Sequence, residues 1–199
     1  MKKIISLVLL VIGFAGNAQS GLPQEATDIA PLLIGEKIPN STLKSIDGNA
    51  VSLKTVLGRK RTILVFYRGG WCPYCNLHLA ALGEAEKELL DLGYQIVAIS
   101  PDAPKNLKVT EEKDKVNYLL LSDSNGDLAK AMGIAFQAPD KYKSILTKGS
   151  DGVNTNFLPV PSVFIVNLDG EIEFEHITPD YKHRISNDLL VAAAKSLIK

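Results

Sequence analysis

The run Arg61-Thr62-Ile63-Leu64-Val65-Phe66-Tyr67, followed by Arg68-Gly69-Gly70 and then Trp71-Cys72-Pro73-Tyr74-Cys75, decides how the rest of the chain is read. Its first part is almost continuously β-branched and aromatic, the pattern of a strand buried on both faces. The glycine pair breaks that strand. Leu77, Leu79, Ala80, Leu82, Ala85, Leu89 and Leu90 then recur at helical spacing, and Gly93 closes the helix. Strand, tight turn and helix in this order open a layered α/β unit.

Working outward, the alternation continues. Residues 94–100 (YQIVAIS) read as a second buried strand, 104–115 as a polar helix, 118–121 as a third strand and 127–132 as a short helix. Residues 162–167 (SVFIVN) form a fourth strand, which Leu168-Asp169-Gly170 turns into a hairpin with residues 171–176. Ser186 is placed to cap a final helix over 187–198. Upstream, Ile46-Asp47-Gly48-Asn49 is a turn signal between two short extended runs. Residues 20–36 read as a polar arm and linker. Residues 136–157, rich in Lys, Gly, Asp and Ser, read as a long surface insertion. No internal repeat is present. The expectation is one α/β domain with a central mixed sheet flanked by helices.

Composition agrees with that class. The chain has 199 residues, 46% hydrophobic and 22% charged, with 22 basic and 22 acidic side chains. That balance lacks the basic surplus of a nucleic-acid binder, and none is expected as a partner. Met1-Lys2-Lys3, the apolar run 4–15 and Gly16-Asn17-Ala18 have the three-part pattern of a secretory signal peptide. The run is too short for a membrane span. No cysteine sits at the cut, so no stable membrane anchor is expected after cleavage. A buried N-terminal helix is the competing reading. The expected organisation is a signal peptide over 1–18, an arm over 19–30 and the domain over 31–199. The mature protein is expected outside the cytoplasm, in the periplasm, where thiols can stay oxidised.

The only two cysteines, Cys72 and Cys75, form a Cys-x-x-Cys pair where the helix begins. A helix N-terminus has unpaired N–H groups and a positive dipole end, which favour a thiolate. Two cysteines three apart on a helical turn need little adjustment to close a disulfide. Pro73 suits the first helical position, where its missing N–H costs nothing. The pair can therefore cycle between dithiol and disulfide. A purely structural disulfide is weaker, because so short a loop removes little chain entropy. A metal clip is weaker still: His78, His176 and His183 show no ligand-pair spacing. No cofactor is called for. His78, one turn beyond Cys75, either tunes it or lies on the helix surface. Leu158-Pro159-Val160-Pro161-Ser162 leads directly into a strand. A cis bond before Pro161 would expose a backbone edge beside the cysteines; an ordinary trans entry is the alternative.

The segment Phe66 to Cys75 with Asn76-Leu77-His78-Leu79 resembles the peroxiredoxin-like group of the alkyl hydroperoxide reductase/thiol-specific antioxidant family, which has the thioredoxin fold. The resemblance extends to Gly35-Glu36-Lys37-Ile38-Pro39, to residues 158–169 and to the tail from Thr178 to Arg184, and covers roughly residues 31–195. The family's Pro-x-x-x-Thr-x-x-Cys segment then places Cys75 at the peroxide-attacking cysteine, Cys72 at the threonine and Arg68 at the proline. The family's late arginine falls on Pro161. The active turn, in contrast, is similar to thioredoxin, where Cys72 would attack, Cys75 resolve and Pro161 be the cis-proline.

Two activities follow from these resemblances. In a thiol-dependent peroxidase, one thiolate, Cys75 by alignment, attacks hydrogen peroxide or an organic hydroperoxide. The neighbouring cysteine closes the disulfide, and a thioredoxin-like donor dithiol reopens it. Arg68 would then bond the peroxide, or else be a surface arginine. In a thiol–disulfide oxidoreductase, Cys72 attacks disulfides of exported proteins and Cys75 resolves. Trp71 and Pro73 support the turn in either case. A non-enzymatic binding domain of the same fold is disfavoured by the presence of both cysteines.

Overall fold

The computed structural model describes residues 21–198. The decisive run forms β3 after a hairpin and a short helix: β1 (Thr42–Lys44), β2 (Ala50–Ser52), α1 (Leu53–Leu57) and β3 (Arg61–Phe66). Then follow α2 (Pro73–Asp91), β4 (Tyr94–Ser100), α3 (Pro104–Asp114), β5 (Leu119–Ser122), α4 (Asp127–Ala131) and β6 (Ala135–Gln137). The chain ends with α5 (Lys143–Gly149), β7 (Phe157–Pro159), β8 (Ser162–Val166), β9 (Ile172–Ile177) and α6 (Asn187–Ser196). The main sheet has seven strands in the order β2-β1-β5-β4-β3-β8-β9. β3, β4 and β5 run parallel, and the outer pairs are antiparallel. This is the expected mixed sheet.

The apolar run of β3 is explained by its interior place between β4 and β8. Successive side chains point to opposite faces, and both faces are covered. Ile63 and Val65, with Tyr67 beyond them, join one core with α2, α3 and α6. Leu64 and Phe66 join the other core with α1 and α4. Helix α2 starts at Pro73, runs 19 residues and buries Cys75, His78, Leu79, Leu82, Ala85 and Leu89. Gly93 follows it at φ 87°, a left-handed position that glycine adopts without penalty. Ser186 caps α6 by accepting a hydrogen bond from the Leu189 N–H at 3.3 Å.

Three expectations are corrected. The stretch 136–157 is not an irregular surface insertion. Its ends pair as a two-stranded sheet, β6 with β7, and α5 lies between them. The segment 21–36 is not a loose linker. Leu32 N–H bonds the Met132 carbonyl at 3.1 Å, and Gln137 N–H bonds the Pro23 carbonyl at 2.7 Å. Leu22, Ile29 and Leu32 pack on the second core. Finally, no peptide bond among the described residues is cis, so Pro161 is not a cis-proline. A trans bond lets the extended residue before proline run straight from β7 into β8, and the Pro161 carbonyl is taken by Thr178 N–H at 3.1 Å. The expected signal peptide lies outside the described residues. No described helix is long and apolar enough to cross a membrane.

Candidate active site

The turn between β3 and α2 carries the two cysteines. Cys72 is the N-cap residue of α2, in extended conformation, and Cys75 sits in its first turn. Both are free thiols and both are buried, at 1% and 0% exposure. The turn is held closely from below. Gly69 has φ 137°, and a Cβ there would meet the Trp71 indole nitrogen at 2.5 Å. A Cβ at Gly70 would meet Thr110 Oγ1 of α3 at 2.1 Å. Gly70 N–H donates to Asp102 Oδ2 at 2.7 Å, and Asn76 Nδ2 donates to the Gly70 carbonyl at 3.0 Å. Asp102 is itself buried, and its burial pushes the carboxyl up to about 6 despite the bond from Gly70.

Each sulfur has a guanidinium beside it. Arg68 Nη1 lies 4.0 Å from Cys72 Sγ, and Arg184 Nη2 lies 3.6 Å from Cys75 Sγ. Arg68 is no surface arginine: it is 3% exposed. Its guanidinium is stacked on Trp71, Tyr142 and Tyr181, at 4.9, 4.6 and 4.1 Å from the ring centroids. Such cation–π contacts fix a desolvated cation without neutralising it. Trp71 also packs on Tyr142 at 5.5 Å, so the α5 region covers the turn. Arg68, Tyr142, Tyr181, Phe136 and Pro161 line a small cavity of about 160 Å³ over this cage. Pro161 therefore does lie at the site, although its bond is trans.

The hydrogen bond between them, more than the flanking charges, separates the two thiols. Interaction with the Cys75 thiol lowers Cys72 to about 6 against the opposing effect of burial, and Arg68 and Arg184 lower it further. The same interaction, together with burial, pushes Cys75 up. The arrangement favours one thiolate, on Cys72, with Cys75 kept protonated as its hydrogen-bond donor. Tyr67 adds a buried hydroxyl that has no hydrogen-bond partner among the described residues. His78 is 7% exposed, not on the helix surface, because Arg184 and its neighbours cover it. Burial, then the charges of Arg184 and His176, push it down to about 4, so its ring is neutral. His176 pairs with Thr178 and His183 with Asp180. Among the described residues, no three His, Cys, Asp or Glu side chains converge as a metal site.

Sequence reasoning places Arg68, Trp71, Cys72, Pro73, Cys75 and Pro161 here, and the structure brings them together. It missed Arg184, Tyr142, Tyr181 and Asp102 as site residues. Arg184 and Tyr181 lie in a segment that carried the family resemblance. No pattern in residues 136–157 marked Tyr142.

Comparison with known proteins agrees with the architecture. The model of the AhpC/TSA family matches residues 34–175. Peroxiredoxin Bcp of Escherichia coli K12 is 29% identical over 161 residues, covering 81% of this chain and 94% of that protein. A putative peroxiredoxin bcp of Haemophilus influenzae is 36% identical over 142 residues, covering 71% and 84%. The crystal structure of reduced Prx3 from Vibrio vulnificus in complex with hydrogen peroxide superposes with a TM-score of 0.69 at 18% identity, over 82% of this chain and 99% of that one. At that identity the structure shows the shared fold alone. The family model and the relatives show more: the chain belongs to the AhpC/TSA family, the thiol-dependent peroxidases of peroxiredoxin type, within the oxidoreductases.

Proposed function

We propose that the protein is an exported peroxidase that reduces hydrogen peroxide or organic hydroperoxides through a Cys72–Cys75 dithiol/disulfide cycle. The observation that carries this is the pair of buried sulfurs, each with its own guanidinium, the one on Cys72 held in an aromatic cage that borders a small cavity. The family alignment puts Cys75 at the attacking position. The hydrogen bond between the two thiols supports Cys72 instead, as the one that gives up its proton more readily.

In this cycle the Cys72 thiolate attacks one peroxide oxygen, and the O–O bond breaks. The departing alkoxide or hydroxide takes a proton and leaves as alcohol or water. Arg68 bonds the peroxide and the developing negative charge. Cys72 is now a sulfenic acid. The Cys75 sulfur displaces its hydroxyl, the S–S bond forms, and the thiol proton leaves with the hydroxyl as water. An external dithiol of thioredoxin type attacks the disulfide and returns both thiols. The residues 1–18 support export; the N-terminus of the protein recovered from the periplasm tests it.

A second reading, exchange with disulfides of exported proteins, is favoured by the low-pKa cysteine at a helix N-cap. The burial of both sulfurs opposes it, since a protein disulfide must reach the attacking atom. Stopped-flow thiol loss with hydrogen peroxide separates the two. A rate far above that of a free thiol of equal pKa is expected. Cys72→Ser is expected to abolish the reaction, and Cys75→Ser to leave one stoichiometric oxidation. A rate no faster than that of a free thiol moves the protein to the disulfide exchangers. The reverse mutant pattern returns the attack to Cys75.

A further inference from the structure

Two guanidiniums flank the cysteines, and only Arg68 has a task in the attack on peroxide. Arg184 comes from the tail before α6 and places Nη2 3.6 Å from Cys75 Sγ. Nothing else in its surroundings neutralises it. Nη1 donates to the His183 carbonyl at 2.8 Å, and Nε has no partner among the described residues. No described carboxylate forms an ion pair with it. The other groups near Cys75 bring no charge to that sulfur. His78, one turn further along α2, is neutral. Burial holds the Tyr67 hydroxyl, just past β3, well above its usual range, so it keeps its proton. Arg68 offers Cys75 its backbone N–H, while its guanidinium faces Cys72. The cation that Cys75 meets is therefore Arg184.

In the reduced protein that charge has little to act on. Cys75 is then the hydrogen-bond donor to Cys72, and this bond, with burial and the Cys72 charge, keeps it a thiol. Oxidation of Cys72 reverses the balance. In the sulfenic acid, the form that is displaced, Cys72 carries no charge, and the acceptor that held the Cys75 proton is gone. Burial still opposes ionisation of Cys75, and Arg184 with the Arg68 N–H favours it. Closing the disulfide needs that ionisation, because the thiolate and not the thiol attacks sulfur.

We propose that Arg184 is the catalytic residue of the closure step, holding Cys75 as the thiolate that attacks the Cys72 sulfenic acid. The Cys75 sulfur bonds to the Cys72 sulfur and the S–O bond breaks. The hydroxide leaves with the proton that Cys75 gave up, as water. Sulfenic acid and thiol thus become disulfide and water, with no further oxidant. The two arginines divide the cycle, Arg68 serving attack and Arg184 serving closure. The proposal rests on the reading in which Cys72 attacks and Cys75 resolves.

Single-turnover stopped flow separates the two steps, since the attack rate scales with peroxide concentration and the closure rate does not. Trp71 is the only tryptophan in the chain and stacks on Arg68, so its fluorescence is the probe. Quenched samples weighed by mass spectrometry count thiol, disulfide and sulfenic acid, the last as its dimedone adduct, without relying on the fluorophore. In Arg184→Gln the closure constant is expected to fall about tenfold or more near pH 7. Attack should fall only about two- to threefold, because Arg184 is a lesser influence on Cys72. Sulfenic acid then accumulates, and dimedone captures it on Cys72. The closure deficit should shrink as the pH is raised toward about 9, where Cys75 ionises with less help. Arg184→Lys keeps a cation and should restore closure in part; it also serves if the glutamine variant does not fold.

Closure unchanged in Arg184→Gln, with the adduct on Cys72, overturns the proposal and leaves the Cys72 reading intact. A deficit that stays constant with pH overturns it as well, since the arginine would then only pack the tail against α2. Attack slowed more than closure, with the adduct on Cys75, overturns the Cys72 reading itself and moves Arg184 to the attack.

Discussion

At the residue scale, Arg68 is the side chain on which the site turns. A guanidinium buried among three rings costs desolvation, which is offset only where its charge is used. Here it faces Cys72 and helps to lower that thiol to about 6, after the interaction with Cys75. The pH dependence follows. Thiol loss to peroxide should rise about tenfold per unit below pH 6 and level off above pH 7, as the thiolate fraction saturates. In Arg68→Gln the midpoint, read by thiolate absorbance, should move up by about one unit. Arg68→Lys should restore the midpoint only partly, because an ammonium does not stack as a planar guanidinium does. An unmoved midpoint in Arg68→Gln would show that the helix terminus and Cys75 hold the thiolate unaided. Cys72, Pro73 and Cys75 were legible from spacing alone, because their roles are local to one turn. The burial of Arg68 was not legible. Its ring partners come from residues 71, 142 and 181, and only the fold gathers them. His78 looked like a surface residue for the same reason: what covers it arrives with Arg184, far along the chain.

At the scale of elements, the active turn is set by how closely α3 approaches it. Gly70 has no room for a side chain, because Thr110 Oγ1 occupies the place of its Cβ at 2.1 Å. Thr110 is not free to swing aside, since its hydroxyl bonds the Asn106 carbonyl at 3.1 Å within α3. Gly70→Ala should therefore destabilise the fold by about 1–3 kcal/mol, the usual cost of overpacking. Thr110→Ala removes the clashing oxygen, so the double variant should recover most of that loss. Denaturant melts of the two singles and the double measure the coupling. Additive effects would mean that the turn, not α3, yields to the methyl group. The buried strands and α2 were readable because each repeats its pattern over a sufficient length. The region 136–157 was not. Its strands are three residues long and α5 is seven, too short to show a period. The core it builds from Ala138, Leu146 and Leu158 is completed by Trp71, which belongs to another element.

At the scale of the whole molecule, the sheet order places β3 in the interior between β4 and β8, so its C-terminal turn is met by elements from distant parts of the chain. The alternation of strands and helices predicted that layering, whereas the closure of the tail over α2 had no sequence signal. That closure makes His78 a proton-linked weak point. Its ring is held neutral by burial, with a folded pKa of about 4 against 6.5 when exposed. Between those values the unfolded chain binds the proton and the folded one does not. Stability from this group is thus complete above about pH 6.5 and is lost as pH falls toward 4, by about 3 kcal/mol in all. Asp102 and Asp123 act in the opposite sense. Burial pushes each up to about 6, so the folded state binds their protons more tightly, and their stabilising protonation is lost as pH rises through 6. The wild-type profile mixes these terms, and only a difference isolates the histidine. Unfolding free energies of wild type and His78→Gln, measured from pH 7 to pH 4, should converge or cross as the pH falls, the variant gaining about 3 kcal/mol relative to wild type across that window. Parallel profiles would mean that the tail opens on acidification and lets His78 take up its proton without unfolding, in which case hydrogen exchange near Arg184 should accelerate below pH 6.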